Sequence, residues 1–70
     1  MTKLKYMRRI PNGGPAYGEI LIWAPPDIVE REMLDAQIES RMAVLTTPDE
    51  SKIRIDPRVF LTWGVEEFKL

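Results

Sequence analysis

Neither cysteine nor histidine occurs in this 70-residue chain. Disulfides and metal sites built from thiolate or imidazole ligands, which often stabilise very small domains, are therefore excluded. A chain of this length buries only about 60% of the surface that its unfolded form exposes. Tight packing or association must supply the remaining stability, and we expect association with other proteins or with copies of the same chain.

The same two absences restrict catalysis. A Ser-His-Asp triad, a Cys-His pair and a histidine general base all require residues that the chain lacks. Carboxylates, lysine and tyrosine remain, but a domain of this size rarely provides the cleft that perturbs their pKa values. We therefore expect a protein that is not an enzyme and that uses no cofactor and no metal.

The composition is that of one globular domain, with 44% hydrophobic and 30% charged residues. No stretch approaches the roughly 20 apolar residues that a bilayer span needs. The apolar run from Ile20 to Ala24 is also too short for the core of a signal peptide. We expect a single domain over residues 1–70 that is made in the cytoplasm and does not contact a membrane.

Two strands joined by a turn are predicted at the start of the chain. Apolar and polar residues alternate from Leu4 to Arg9, as in a half-buried strand. The segment from Pro11 to Pro15 is rich in glycine and proline and predicts a turn. The β-branched and aromatic run from Glu19 to Ala24 predicts a well-buried second strand, so that the two form an antiparallel hairpin.

One helix is predicted in the middle of the chain. Asp27 is a favourable N-cap residue, and Glu30 three positions later completes a variant of the capping box. Apolar residues fall on two helical faces, so the helix either packs on two sides or ends near Asp35. The first face holds Val29, Met33 and Ala36, and the second holds Ile28, Leu34, Ile38 and Met42.

Further strands are predicted in the second half. Met42 to Thr46 forms the third strand, and the segment containing Ile53 and Ile55 pairs back with it across a turn. A last apolar alternation runs from Val59 to Trp63, and Gly64 is expected to end it. The pattern predicts an α+β fold of short antiparallel hairpins with one central helix, and a mainly β fold is the alternative.

The aromatic and C-terminal apolar residues are the candidate contact residues. We expect Trp23 and Phe60, which lie inside strand patterns, to pack in the core. Tyr17 lies near the tip of the first turn, and segment 64–70 remains apolar to its last position, which favours docking on a partner. The predicted partner-binding residues are Tyr17, Trp63, Val65, Phe68 and Leu70.

Charge is unevenly distributed along the chain. Residues 1–26 hold four basic residues and one acid, whereas residues 27–50 hold seven acids and two arginines. The basic start is compatible with nucleic-acid binding, but the pI of about 5.3 and the acidic middle argue against it. Basic side chains of this kind also protect a strand at the edge of a sheet, which is the reading we favour.

The acidic residues of the helix are expected to form a solvated face. They lack the alternating loop spacing of a calcium or magnesium site. As a group they are suited to face a basic partner. These acids are Asp27, Glu30, Glu32, Asp35 and Glu39.

Residues 5–35 resemble the small accessory proteins encoded among the head and structural genes of tailed bacteriophages. Both have a basic-aromatic strand, a glycine turn, a strand that ends in an aromatic, and a helix that begins with proline. The matching segments here are Lys5-Tyr6-Met7, Gly13-Gly14, Ile22-Trp23-Ala24-Pro25 and Arg31-Glu32-Met33. The start of the helix departs from the family, which favours alanine where this chain has Asp27-Ile28-Val29-Glu30.

The resemblance implies a protein of the virion, present in the host cytoplasm before assembly, that docks on a capsid or neck protein. No catalytic residue is carried over. The alternative is a phage-encoded inhibitor of a host enzyme that uses the acidic helix as a mimic. A nucleic-acid-binding protein is the third and least favoured reading.

Overall fold

One helix and five strands follow one another in this computed structural model, which describes residues 1–69. The α+β prediction is confirmed. In chain order the elements are β1 (Thr2–Arg9), β2 (Pro15–Ile22), α1 (Pro26–Glu39), β3 (Ala43–Thr46), β4 (Lys52–Ile55), a 3-10 turn (Pro57–Val59) and β5 (Thr62–Glu67).

The strands form two antiparallel sheets. The larger sheet has the order β2-β1-β5, with Leu4 directly opposite Ile20 on one side and Val65 on the other. The smaller sheet is the predicted β3–β4 hairpin. The Trp23 amide donates to the Thr46 carbonyl over 2.8 Å, which ties the end of β3 to the end of β2.

The core lies between α1 and one face of the strands. Residues at alternate strand positions and at helical spacing point into it, as the two periodicities require. Thr2 is also fully buried, and its hydroxyl donates to the Ala24 carbonyl over 2.6 Å. The buried hydrophobic residues are Leu4, Ile22, Val29, Met33, Ala36, Ala43, Leu45 and Ile55.

The helix begins differently from the prediction. Pro25 occupies the N-cap position and Pro26 the first helical position, so that Asp27 lies inside the first turn without a capping hydrogen bond. The Pro25 carbonyl accepts from the amides of Ile28 and Val29. Proline suits the first helical position because its missing N–H has no intrahelical partner there, and the helix therefore starts two residues earlier than predicted.

The helix continues to Glu39, so the alternative of an end near Asp35 is wrong. Packing on two sides is also wrong. The face with Val29 and Met33 is buried, whereas Ile38 on the other apolar face is 80% exposed, because none of the described strands covers that side.

The second strand is less buried than predicted. It begins at Pro15 and ends at Ile22, and Trp23 lies beyond its end with 59% of its surface exposed. The expectation that Trp23 packs in the core is therefore wrong. None of the elements described within residues 1–69 covers the second face of β2, so its side chains alternate between the core and solvent.

The remaining corrections concern the bounds of the last strand and the order of strands in the large sheet. Gly64 does not end a strand but lies within β5, and Val59 belongs to the 3-10 turn. The N-terminal strand β1 is the central strand of its sheet, so its basic side chains do not protect an edge. Pairing between distant segments of the chain determines where β5 begins and ends and which strand is central.

Candidate protein-binding surfaces

Large hydrophobic side chains are unusually exposed on this small domain. Among the described residues, eleven of them are at least 37% exposed, against eight hydrophobic residues in the buried core. Where such side chains lie together, as Leu34 and Ile38 do in one depression on α1, they mark a candidate interaction site. The exposed residues are Ile10, Tyr17, Leu21, Trp23, Ile28, Leu34, Ile38, Met42, Val44, Val59 and Leu61.

The outer face of α1, opposite its buried face, combines apolar and acidic side chains. Leu34 is 44% exposed and Ile38 is 80% exposed. With the charged residues beside them they line an open depression of about 410 Å³. The charged lining residues are Asp27, Glu30, Arg31 and Asp35, three acids against one arginine. We call these six residues the helix face.

The solvent-facing side of the large sheet carries paired charges. The ammonium of Lys3 lies 3.6 Å from a carboxylate oxygen of Glu19, and that of Lys5 lies 3.2 Å from one of Glu66. These exposed pairs contribute little to stability, but they offset much of the positive charge of β1. The basic start of the chain is therefore a weaker attractant for phosphate than its sequence indicates.

The predicted contact residues do not form one surface. Tyr17 is on the solvent-facing side of β2 and is 78% exposed. Trp63 and Val65 are half-buried and pack against the core from β5. Phe68 is half-buried, with the Lys3 ammonium 4.9 Å from its ring centroid. Leu70 lies outside the described residues. Partner binding by these residues stays a prediction.

One acid of the helix is withdrawn from the solvated face. A carboxylate oxygen of Glu32 accepts from the Arg41 guanidinium over 2.7 Å and from the Val44 amide over 2.9 Å. The hydrogen bond from Arg41 is the main reason why the pKa of Glu32 is lowered. Glu39 binds the same guanidinium over 3.2 Å, and together the two carboxylates raise the pKa of Arg41. The cluster joins α1 to the start of β3.

Two loop carboxylates are also held in their charged form. Hydrogen bonds from the Arg58 side chain and backbone lower the pKa of Asp56. The Thr47 hydroxyl is the main cause of the lowered pKa of Asp49, and the Ser51 amide adds to it. All three shifted carboxylates therefore stay ionised at neutral pH, and each serves a local turn or helix end.

Neither a metal cluster nor a membrane span is found within residues 1–69. In this part of the chain no group of three or more Asp and Glu side chains could hold a metal ion. The described helix is too short and too polar to cross a bilayer. Comparisons with protein families, curated proteins and solved structures found no match for the chain.

Sequence reasoning missed the helix face as a single surface. The sequence places Leu34 and Ile38 on a second apolar face, which predicts either packing on two sides or a helix end near Asp35, because apolar residues at helical spacing normally mark packing. The available signal was the acid content around them, since Asp27, Glu30 and Asp35 share the same side of the helix and resist burial.

Proposed function

We propose that this protein is a non-enzymatic binding module that works by docking on another protein. The observation that carries this proposal is the number of large apolar side chains left exposed on a domain with so small a core. Exposure of this kind lowers solubility, and a partner that covers it removes that cost.

The helix face is the surface best suited to a protein partner. It offers Leu34 and Ile38 as apolar contacts inside a rim with an excess of negative charge. An occupant of matching chemistry is a protein surface that presents basic side chains around an apolar spot. A second copy of the chain would bring the same excess of negative charge and is disfavoured at this site.

Residues 5–35 resemble phage head accessory proteins, and this resemblance favours a partner within the virion. In this proposal the partner is a capsid or neck protein, and the chain is a minor component of the virion. The acidic rim of the helix face also favours the second candidate, inhibition of a host enzyme through a basic site.

The test is co-purification with virions through a density gradient, with quantitative mass spectrometry of the chain relative to the major capsid protein. We expect a fixed copy number for the natural chain. Ile38→Lys should abolish association, because it removes the most exposed apolar contact and reduces the negative charge. Val59→Lys is the matched control, since Val59 is 56% exposed but lies outside the helix face.

Two outcomes would contradict the leading proposal. A chain absent from virions that captures one host enzyme, in a salt-sensitive way, would establish the inhibitor instead. Equal loss of association in the Ile38→Lys and Val59→Lys variants would show that the helix face is not the docking surface.

A further inference from the structure

The outer edge of β2 presents free backbone groups. The carbonyls of Met1, directly before β1, and of Met7 within β1 accept from the β5 side. The backbone groups of odd-numbered residues of β1 therefore face β5, and those of even-numbered residues face β2. Each even residue of β1 is opposite an even residue of β2. Because bonding groups alternate along a strand, the N–H and C=O groups of Tyr17, Glu19 and Leu21 point away from the sheet.

This edge lacks the charges that usually prevent strands from pairing. The β5 edge strand carries Glu66 and Glu67, and β4 carries Lys52 and Arg54. By contrast, β2 has eight residues and a single charge, Glu19, which lies 3.6 Å from its own Lys3. A long edge strand without protecting charge is a template for another strand.

The edge is also complementary to itself. Its free groups are symmetric about Glu19, so an antiparallel pair centred there places Tyr17 of each copy opposite Leu21 of the other. Tyr17 is 78% exposed and Leu21 is 37% exposed, and an aromatic–aliphatic cross-strand pair stabilises such a junction. Lys3 and Lys5 lie beside each Glu19 and offset the repulsion between the two opposed carboxylates.

We propose that β2 pairs with β2 of a second copy, antiparallel and centred on Glu19, to form one continuous six-stranded sheet. The two-fold symmetry closes the assembly, because each copy contributes the same edge to the pairing. The helix face lies on α1 and remains free for another protein. Pairing therefore goes beyond the proposed docking function and stands or fails independently of it.

The first test uses the absence of cysteine from the natural chain. In the proposed register, Glu19→Cys places two cysteines opposite each other with Cα atoms about 5.5 Å apart, within the range that a disulfide bridges. We expect mild oxidation of the purified chain to give a covalent dimer about ten-fold faster than for the control Val59→Cys, which is exposed but remote from the edge. Equal rates would overturn the proposal.

The second test blocks the edge without changing the ladder inside the sheet. Glu19→Pro removes an N–H that points outward, and proline is tolerated at such a position. Tyr17→Lys adds a protecting charge and serves if the proline variant does not fold. By sedimentation equilibrium we expect a dimer for the natural chain and for Val59→Lys, and a monomer with an unchanged circular dichroism spectrum for the edge variants.

A natural chain that stays monomeric up to about 1 mM would overturn the pairing, and so would dimers that persist in folded edge variants. These readouts use purified protein alone. Failure of virion association leaves them unchanged, so the two proposals fail separately.

Discussion

Gly18 lies directly opposite Tyr6, and the phenol ring of Tyr6 crosses the space that a side chain at residue 18 would fill. The ring is also stacked on Phe60, with 4.6 Å between ring centroids. Because this stack holds the ring, it cannot swing aside at low cost. Glycine in the middle of β2 is therefore explained by close approach of an aromatic ring.

We expect Gly18→Ala to lower the free energy of unfolding by about 1–3 kcal/mol, because the added Cβ overlaps the Tyr6 ring. Chemical denaturation measures the loss. Gly64→Ala is the control: Gly64 is also inside a strand, and a Cβ there meets nothing within 4 Å. The control should change stability by less than about 0.5 kcal/mol. Equal effects would mean that the ring has room to move.

Glu32 makes stability depend on pH at the junction of α1 and β3. Its pKa in the folded chain is lowered from the ordinary 4.5, mainly by the hydrogen bond from Arg41. A carboxyl whose folded pKa is lowered contributes stability that is present above the unfolded pKa. That contribution is lost as the pH falls through the folded value.

We expect Glu32→Gln to destabilise the chain by about 1 kcal/mol at pH 7, since the Glu32 side chain is 25% exposed and its ion pair is partly screened. The difference from the natural chain should shrink as the pH falls below 4.5 toward the lowered folded value. Melting temperatures between pH 7 and pH 3 measure it. Glu39→Gln, which affects a 57% exposed partner of the same arginine, should have almost no effect. A difference that does not shrink between pH 4.5 and pH 3 would contradict the assignment.

At the scale of elements, two aspartates near helix starts have different roles. Asp27 makes no capping hydrogen bond, whereas a carboxylate oxygen of Asp56 accepts from the Arg58 amide over 3.0 Å. We expect Asp27→Ala to cost only about 0.3–0.5 kcal/mol, through the helix dipole. Asp56→Ala should cost about 1 kcal/mol through loss of a cap. Urea denaturation measures the loss of unfolding free energy for each variant. A larger loss for Asp27→Ala than for Asp56→Ala would identify Asp27 as a cap.

The helix ends at a backbone conformation that favours glycine. Ser40 has a φ of 53°, in the left-handed region, and follows the last helical residue. We expect Ser40→Gly to stabilise the chain by about 0.5–1 kcal/mol. Thermal melting measures the gain. Ser51→Gly is the control, because Ser51 is not among the residues with positive φ, and it should bring no gain.

At the scale of the whole molecule, the end of β5 completes the sheet beside β1. Glu66 and Glu67 lie opposite Lys3 and Thr2, while Trp63 and Val65 earlier in the strand pack on the core. We expect deletion of residues 66–70 to leave a cooperatively folded domain with a lower melting temperature, because the core residues are retained. Loss of the cooperative transition would show that the last pairs of β5 close the core.

The local sequence pattern was sufficient to predict which kinds of secondary-structure element the chain forms. The α+β class, the β3–β4 hairpin and the buried helix positions Val29, Met33 and Ala36 follow from period and turn chemistry. Each of these features depends on residues close together in the chain, so their spacing carries the information. The exposed Tyr17 near the first turn belongs to the same group.

Only the tertiary structure decided which segments are neighbours. It made β1 central, extended β5 through Gly64, exposed Trp23 and left one side of α1 and one edge of β2 uncovered. Sequence period shows that a face is apolar but does not show whether anything lies against it. Coverage depends on strand order and on contacts between residues far apart in the chain, and these are set by the packing of the whole domain.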